Sequence, residues 1–142
     1  MNKETSRNPL LQAITEVLER DEEVQFAYLF GSTVKGIPTH ESDIDVAVYL
    51  QPMDLKGFIS KEEELTRALT LGIHNDRIDL RVLNVSPFLL QYKVLKDGML
   101  IFSRNELERV DFETRVMVRF FELKPYLDEY TSLLKSRIRG TR

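Results

Sequence analysis

The 142-residue sequence contains no cysteine and only two histidines, His40 and His74. Without cysteine there is no disulfide framework, zinc ribbon or thiol nucleophile. Two histidines are too few for a histidine-built zinc centre. Metal chemistry in this chain therefore falls to carboxylates, which suit hard ions such as magnesium. No apolar run approaches the ~18 residues that span a bilayer. The opening stretch from Met1 to Thr5 has no apolar segment behind it, so a signal peptide is not expected. The compartment these absences predict is the cytoplasm, without membrane contact. An excess of one charge sign is also missing: 20 basic against 23 acidic side chains leave a net charge of −3. That balance lacks the electrostatic footprint of a dedicated nucleic-acid binder.

What is present reads as one folded domain over residues 1–142. Hydrophobic residues at 42% and charged residues at 30% are the balance of a soluble globular chain. The length supports a single sizeable core. Asn8 before Pro9 marks a helix start, and Leu10, Leu11, Ile14, Val17 and Leu18 share one helical face. Residues 24–30 are almost wholly apolar, as in a strand buried on both faces. Residues 44–50 alternate, with Ile44, Val46, Val48 and Leu50 on one side and Asp45, Ala47 and Tyr49 on the other. Ser60 and Glu63 form a capping-box pattern for a helix ending near Gly72, with the run Glu62–Glu64 in its first turn.

Residues 78–84 alternate again, Pro87 opens a helix that Asp97 and Gly98 close, and Met99 to Phe102 is a short strand. Ser103 and Glu106 suggest another cap. A C-terminal helical segment over 106–139 follows, patterned by Leu107, Val110, Met117 and Phe121, interrupted or restarted at Pro125, and continued by Leu127, Tyr130, Leu134 and Ile138. The fold class is α/β (α+β), a small mixed sheet covered by helices.

One constellation carries chemistry. Gly31 and Ser32 end the first strand, and ten residues later Asp43-Ile44-Asp45 opens the second. Asp43 and Asp45 are two apart and so share a face, opposite the apolar row. Asp79 stands on a later strand between Ile78 and Leu80 with the same logic. Pairing those two strands brings three carboxylates to one patch. Such carboxylates repel one another unless a cation is present, and magnesium is the natural answer. A glycine lets a backbone approach phosphate closely, and Ser32 with the following turn can donate to it. Together these parts describe phosphoryl or nucleotidyl transfer. Taken singly, each aspartate is more simply a turn cap or a solvated strand residue. Arg81 shares Asp79's face, either as a phosphate partner or as an ion-pair partner of the carboxylates. Lys35 and His40 lie in the glycine loop with no role the pattern assigns. His74 reads as a surface residue.

The spacing Gly-Ser, ten residues, Asp-x-Asp, then a later strand aspartate resembles the DNA polymerase β-like nucleotidyltransferase superfamily. The compact chain, Arg77-Ile78-Asp79-Leu80, Pro87 through Gly98, and the tail Phe121 to Leu127 resemble its minimal branch, the antitoxins of MNT–HEPN toxin–antitoxin systems. The resemblance implies a palm-like fold, with Mg2+ as cofactor and ATP as co-substrate. It implies transfer of AMP to a tyrosine of a cognate HEPN ribonuclease toxin, with which the chain forms a hetero-oligomer. Position by position, Gly31 and Ser32 would hold the triphosphate, and Asp43 and Asp45 would ligate both metals. Asp79 would ligate the catalytic metal and help deprotonate the attacking hydroxyl. Two other functions stay open. One is an antitoxin that neutralises its toxin by binding alone, through the apolar tail. The other is transfer to a small molecule or an RNA end. The chain has no room for an extra small-molecule acceptor domain, and its charge disfavours RNA.

Overall fold

The computed structural model describes residues 8–31 and 43–140. Helix α1 (Pro9–Glu19) starts at Asn8, whose side chain accepts hydrogen bonds from the backbone N–H groups of Leu10 and Leu11. Strand β1 (Val24–Phe30) is buried along its whole length, as its apolar sequence predicts. Strand β2 (Ile44–Leu50), helix α2 (Leu55–Ile73), strand β3 (Ile78–Val82), helix α3 (Phe88–Asp97), strand β4 (Met99–Ser103) and helix α4 (Glu106–Gly140) follow. The sheet order is β3-β2-β1-β4. β2 and β3 are parallel, and β1 is antiparallel to both its neighbours, so the sheet is mixed, as expected.

Each face of the sheet is covered. Ile44, Val46, Val48 and Leu50 pack with Ala27, Leu29, Leu80 and Val82 beneath α1 and α2. Phe26, Tyr28, Phe30 and Ala47 pack on the other side with Val94 of α3 and Phe112 and Val116 of α4. The site aspartates therefore sit at the end of a packed face. A bulge near Gln25 lets Val24 and Phe26 serve opposite faces. On the second face Tyr49 stacks on Phe26 at 4.7 Å, and Phe112 lies 4.9 Å from Tyr49. The Tyr28 hydroxyl donates to Glu113 at 2.6 Å, and Arg109 holds the same carboxylate through both oxygens. Burial, and then Glu113, push the Tyr28 hydroxyl far above its ordinary range, which keeps it the donor.

Several element boundaries differ from the sequence expectation. α2 begins at Leu55, because Asp54 caps it by accepting from the Gly57 N–H at 2.8 Å, and Ser60 lies inside. The Glu62–Glu64 run is therefore mid-helix, where Glu64 lies 3.6 Å from Lys61. The end of α2 at Ile73 is as expected, one residue beyond Gly72. A Cβ on Gly72 would sit 2.9 Å from Val17, so the glycine serves the contact with α1, and exposed His74 takes the left-handed turn at φ 55°. β3 ends two residues early in a 3-10 turn, Leu83–Val85. Asn105 caps α4 in place of Ser103, its Oδ1 accepting from the Glu108 N–H and its Nδ2 donating to the Glu108 carboxylate. α4 is one helix through Pro125. Its core face is Phe112, Val116 and Phe120, while Leu107, Val110 and Phe121 of the expected pattern face solvent. The rings decide this, since Phe112 and Phe120 reach Tyr49 and Tyr92.

Candidate active site

The site lies where β1 ends and β2 and β3 begin. Asp45 is the second residue of β2, and it registers with Phe30 of β1 on one side and Asp79 of β3 on the other. The parallel register thus sets two carboxylates side by side, as the alternation of both strands predicts. Asp43 stands one residue ahead of β2. Arg77 stands one residue ahead of β3, and its carbonyl accepts from the Ile44 N–H at 3.0 Å.

Gly31 follows β1 with φ +68°, a conformation that favours glycine. A Cβ at this position would lie 2.5 Å from Asp45 Oδ2. The absent side chain is what lets the Asp45 carboxylate occupy its place beside the turn. Ser32, Lys35 and His40 lie outside the described residues.

The charges are arranged in opposed pairs. Arg81 Nε is 3.1 Å from Asp79 Oδ1, and Arg77 Nε is 4.0 Å from Asp43 Oδ1. All four side chains are more than half exposed, so these pairs contribute little to stability. Asp45 is half-buried, and its pKa is raised by burial, then by Asp79 and Asp43, against the opposing charges of Arg81 and Lys93. Three carboxylates therefore share one field, as the sequence anticipates.

Among the described residues no three acidic or histidine side chains already stand together as a metal cage. The donor set nonetheless fits a hard divalent cation. Its donors are carboxylate oxygens, Asp45 is destabilised by its acidic neighbours, and a bound cation relieves that repulsion. Arg77 is the feature that sequence patterning left without a role. The signal was its position before β3, matching that of Asp43 before β2.

A mixed sheet that presents paired aspartates beside Gly31 is an arrangement suited to nucleotidyl transfer. The chain belongs to the Polymerase beta, Nucleotidyltransferase family, whose model matches residues 12–107. No curated protein matches the chain. Similar solved structures include a chain of a toxin–antitoxin complex with AMP-PNP, 22% identical, with a TM-score of 0.66 over 89% of this chain and 97% of that one. Another is a chain of a MntA–HepT complex variant bearing two aspartate-to-glutamate replacements, 21% identical, with a TM-score of 0.67 and the same two coverages. A third comes from the tri-AMPylated Shewanella oneidensis HEPN toxin in complex with MNT antitoxin, 21% identical, with a TM-score of 0.62 over 89% of this chain and 94% of that one. At these identities the likeness establishes the shared fold.

Proposed function

We propose that this nucleotidyltransferase is an antitoxin that transfers AMP from ATP to a tyrosine of a partner HEPN ribonuclease toxin. The single observation that carries this is the Asp45–Asp79 register beside a Gly31 turn that has no room for a side chain. The fold shared with complexes that contain AMP-PNP or a tri-AMPylated toxin supports the choice of nucleotide and acceptor. All of residues 1–142 serve as one nucleotidyltransferase domain, acting in the cytoplasm where ATP is abundant.

Gly31 and Ser32 hold the triphosphate. Asp43, Asp45 and Asp79 hold Mg2+, which when bound supplies charge neutralisation at the phosphates. Asp79 also accepts the proton of the attacking hydroxyl, and Arg81 orients its carboxylate from 3.1 Å. The tyrosine oxygen forms a bond to the α-phosphorus. The bond from that phosphorus to the oxygen bridging to the β-phosphate breaks, and pyrophosphate leaves with the electron pair.

Incubating the chain with ATP, Mg2+ and the toxin should add AMP mass to a toxin tyrosine. A toxin that binds yet gains no mass would overturn the proposal. Asp43→Asn with Asp45→Asn should lower transfer at least about a hundredfold, because the cation's charge stabilisation is worth several kcal/mol. A second reading, neutralisation by occlusion, draws on the exposed apolar residues Tyr130, Leu134 and Ile138 of α4. If the double variant still protects cells fully, occlusion is the function and catalysis is secondary.

A further inference from the structure

Helix α4 is longer than the body it packs on. Its share of the core ends with Phe112 and Val116, and Phe120 adds the stack on Tyr92. Beyond that point Leu123, Leu127, Tyr130, Leu134 and Ile138 continue one helical face for about 24 Å, with Tyr130, Leu134 and Ile138 exposed. The stripe reads almost the same from either end. Leu123 matches Ile138, Leu127 matches Leu134, and Tyr130 lies at the middle. The charges beside it have a direction instead. Lys124 and Asp128 pair with each other at 2.9 Å, which leaves Glu122 and Glu129 to mark the first half. Lys135, Arg137 and Arg139 mark the second half, and no acidic residue follows Glu129.

We infer that this stripe is the interface of a homodimer, in which α4 of a second copy packs antiparallel on residues 123–138. A two-fold interface needs a surface complementary to itself, and antiparallel pairing about Tyr130 supplies that in both shape and charge. Leu123 of each copy meets Ile138 of the other, and Leu127 meets Leu134, at the three- and four-residue spacings of paired helices. The acidic half of each helix then lies along the basic half of its partner. Parallel pairing would set cations against cations and acids against acids. A helix end whose apolar face touches nothing is marginal in water, so the second copy also stabilises the helix it covers. Any other protein that docks on this stripe does so by displacing that copy. The inference is independent of the proposed reaction, because the site aspartates and Gly31 lie outside α4.

Sedimentation velocity of the full chain, over a concentration series reaching about 100 μM, tests the proposal. The mass should rise from 16.6 kDa to twice that value. Tyr130→Asp with Leu134→Asp should hold the chain at the monomer mass. Lys135→Glu with Arg137→Glu should weaken the dimer by at least about tenfold, and adding Glu122→Lys with Glu129→Lys to the same chain should restore it. The natural chain has no cysteine, so single cysteines report the orientation. Tyr130→Cys should form an intermolecular disulfide on mild oxidation. Leu123→Cys should not cross-link to itself, but should cross-link to Ile138→Cys in a mixture of the two. Leu123→Cys joined to itself would overturn the antiparallel arrangement. A wild-type chain that stays at 16.6 kDa throughout the series would overturn the dimer. If the toxin then shields Tyr130→Cys from maleimide, the stripe belongs to the toxin instead. A chain that dimerises yet transfers no AMP removes the proposed function and leaves this inference standing.

Discussion

The side chain of Asn84 holds both backbone groups of Leu50, accepting from its N–H at 2.9 Å and donating to its carbonyl at 2.9 Å. It thereby completes the end of β2 after β3 has turned away. Asn84→Ala strands two polar groups at a buried residue and should cost about 2–3 kcal/mol, measured by urea denaturation. Gly31 carries a different constraint. Gly31→Ala pays about 1–2 kcal/mol for the left-handed backbone and forces the Asp45 carboxylate aside. A displacement of that kind should lower kcat for AMP transfer about a hundredfold, with substrate binding less affected. Asp45 itself carries a pH signature in metal-free buffer. Its folded pKa stands above the ordinary 3.8 because of burial, then Asp79 and Asp43. An acid raised in this way favours the fold below its unfolded pKa, and that benefit is lost as pH rises through the folded value. Asp45→Asn should therefore melt higher than wild type at pH 7, with the gap closing as the pH falls to about 4 and below. Added Mg2+ should raise the melting temperature of wild type and not of the variant.

At the scale of elements, what was legible followed from periodicity, and what was missed followed from competition between caps. β2, β3 and the Asp45–Asp79 face come directly from alternation, because a strand's side-chain period is fixed at two, while β1 and β4 are legible as short apolar runs. The start of α2 was not legible, because Asp54 and Ser60 both offer capping oxygens. Only burial of Phe58, one turn inside the true start, decides for Asp54. Gly72 has the composition of a helix stop, yet its role is set by Val17 on another helix, a contact no local pattern encodes. Pro125 is the strongest local signal that tertiary context was not needed to overrule. Helix formers on both sides carry α4 across it, with one backbone donor missing. Pro125→Ala should therefore stabilise the second half of α4, by up to ~3 kcal/mol. Amide exchange over residues 121–139 should slow markedly. The global melting temperature should hold, since residues 128–139 are exposed and add nothing to either core.

At the scale of the whole molecule, one helical face connects the core to solvent. Phe112 and Val116 are buried on the sheet, and Phe120 stacks on Tyr92 at 3.9 Å. The same face continues through Leu123 and Leu127 to Tyr130 and Leu134, where it leaves the body. Spacings of three and four residues keep it a single stripe throughout. Sequence alone could not divide this stripe between core and surface, because its composition does not change where the sheet ends. The structure puts that division near Leu123: Tyr130 is 61% exposed and Ile138 71% exposed. An apolar stripe held out on a rigid helix is the form of a protein-docking surface. Lys135 and Arg137 near its end suit a partner with acidic flanks. Tyr130→Asp with Leu134→Asp should leave melting within about 0.5 kcal/mol of wild type, since neither residue belongs to a core. ATP binding should be unchanged. If this stripe docks the proposed toxin partner, affinity for it should fall at least about a hundredfold, because an aromatic anchor and an aliphatic one are lost together. Calorimetry on the purified pair measures it. Unchanged affinity would move the docking surface to the outward face of α4, where Leu107, Val110 and Phe121 are the next exposed apolar group.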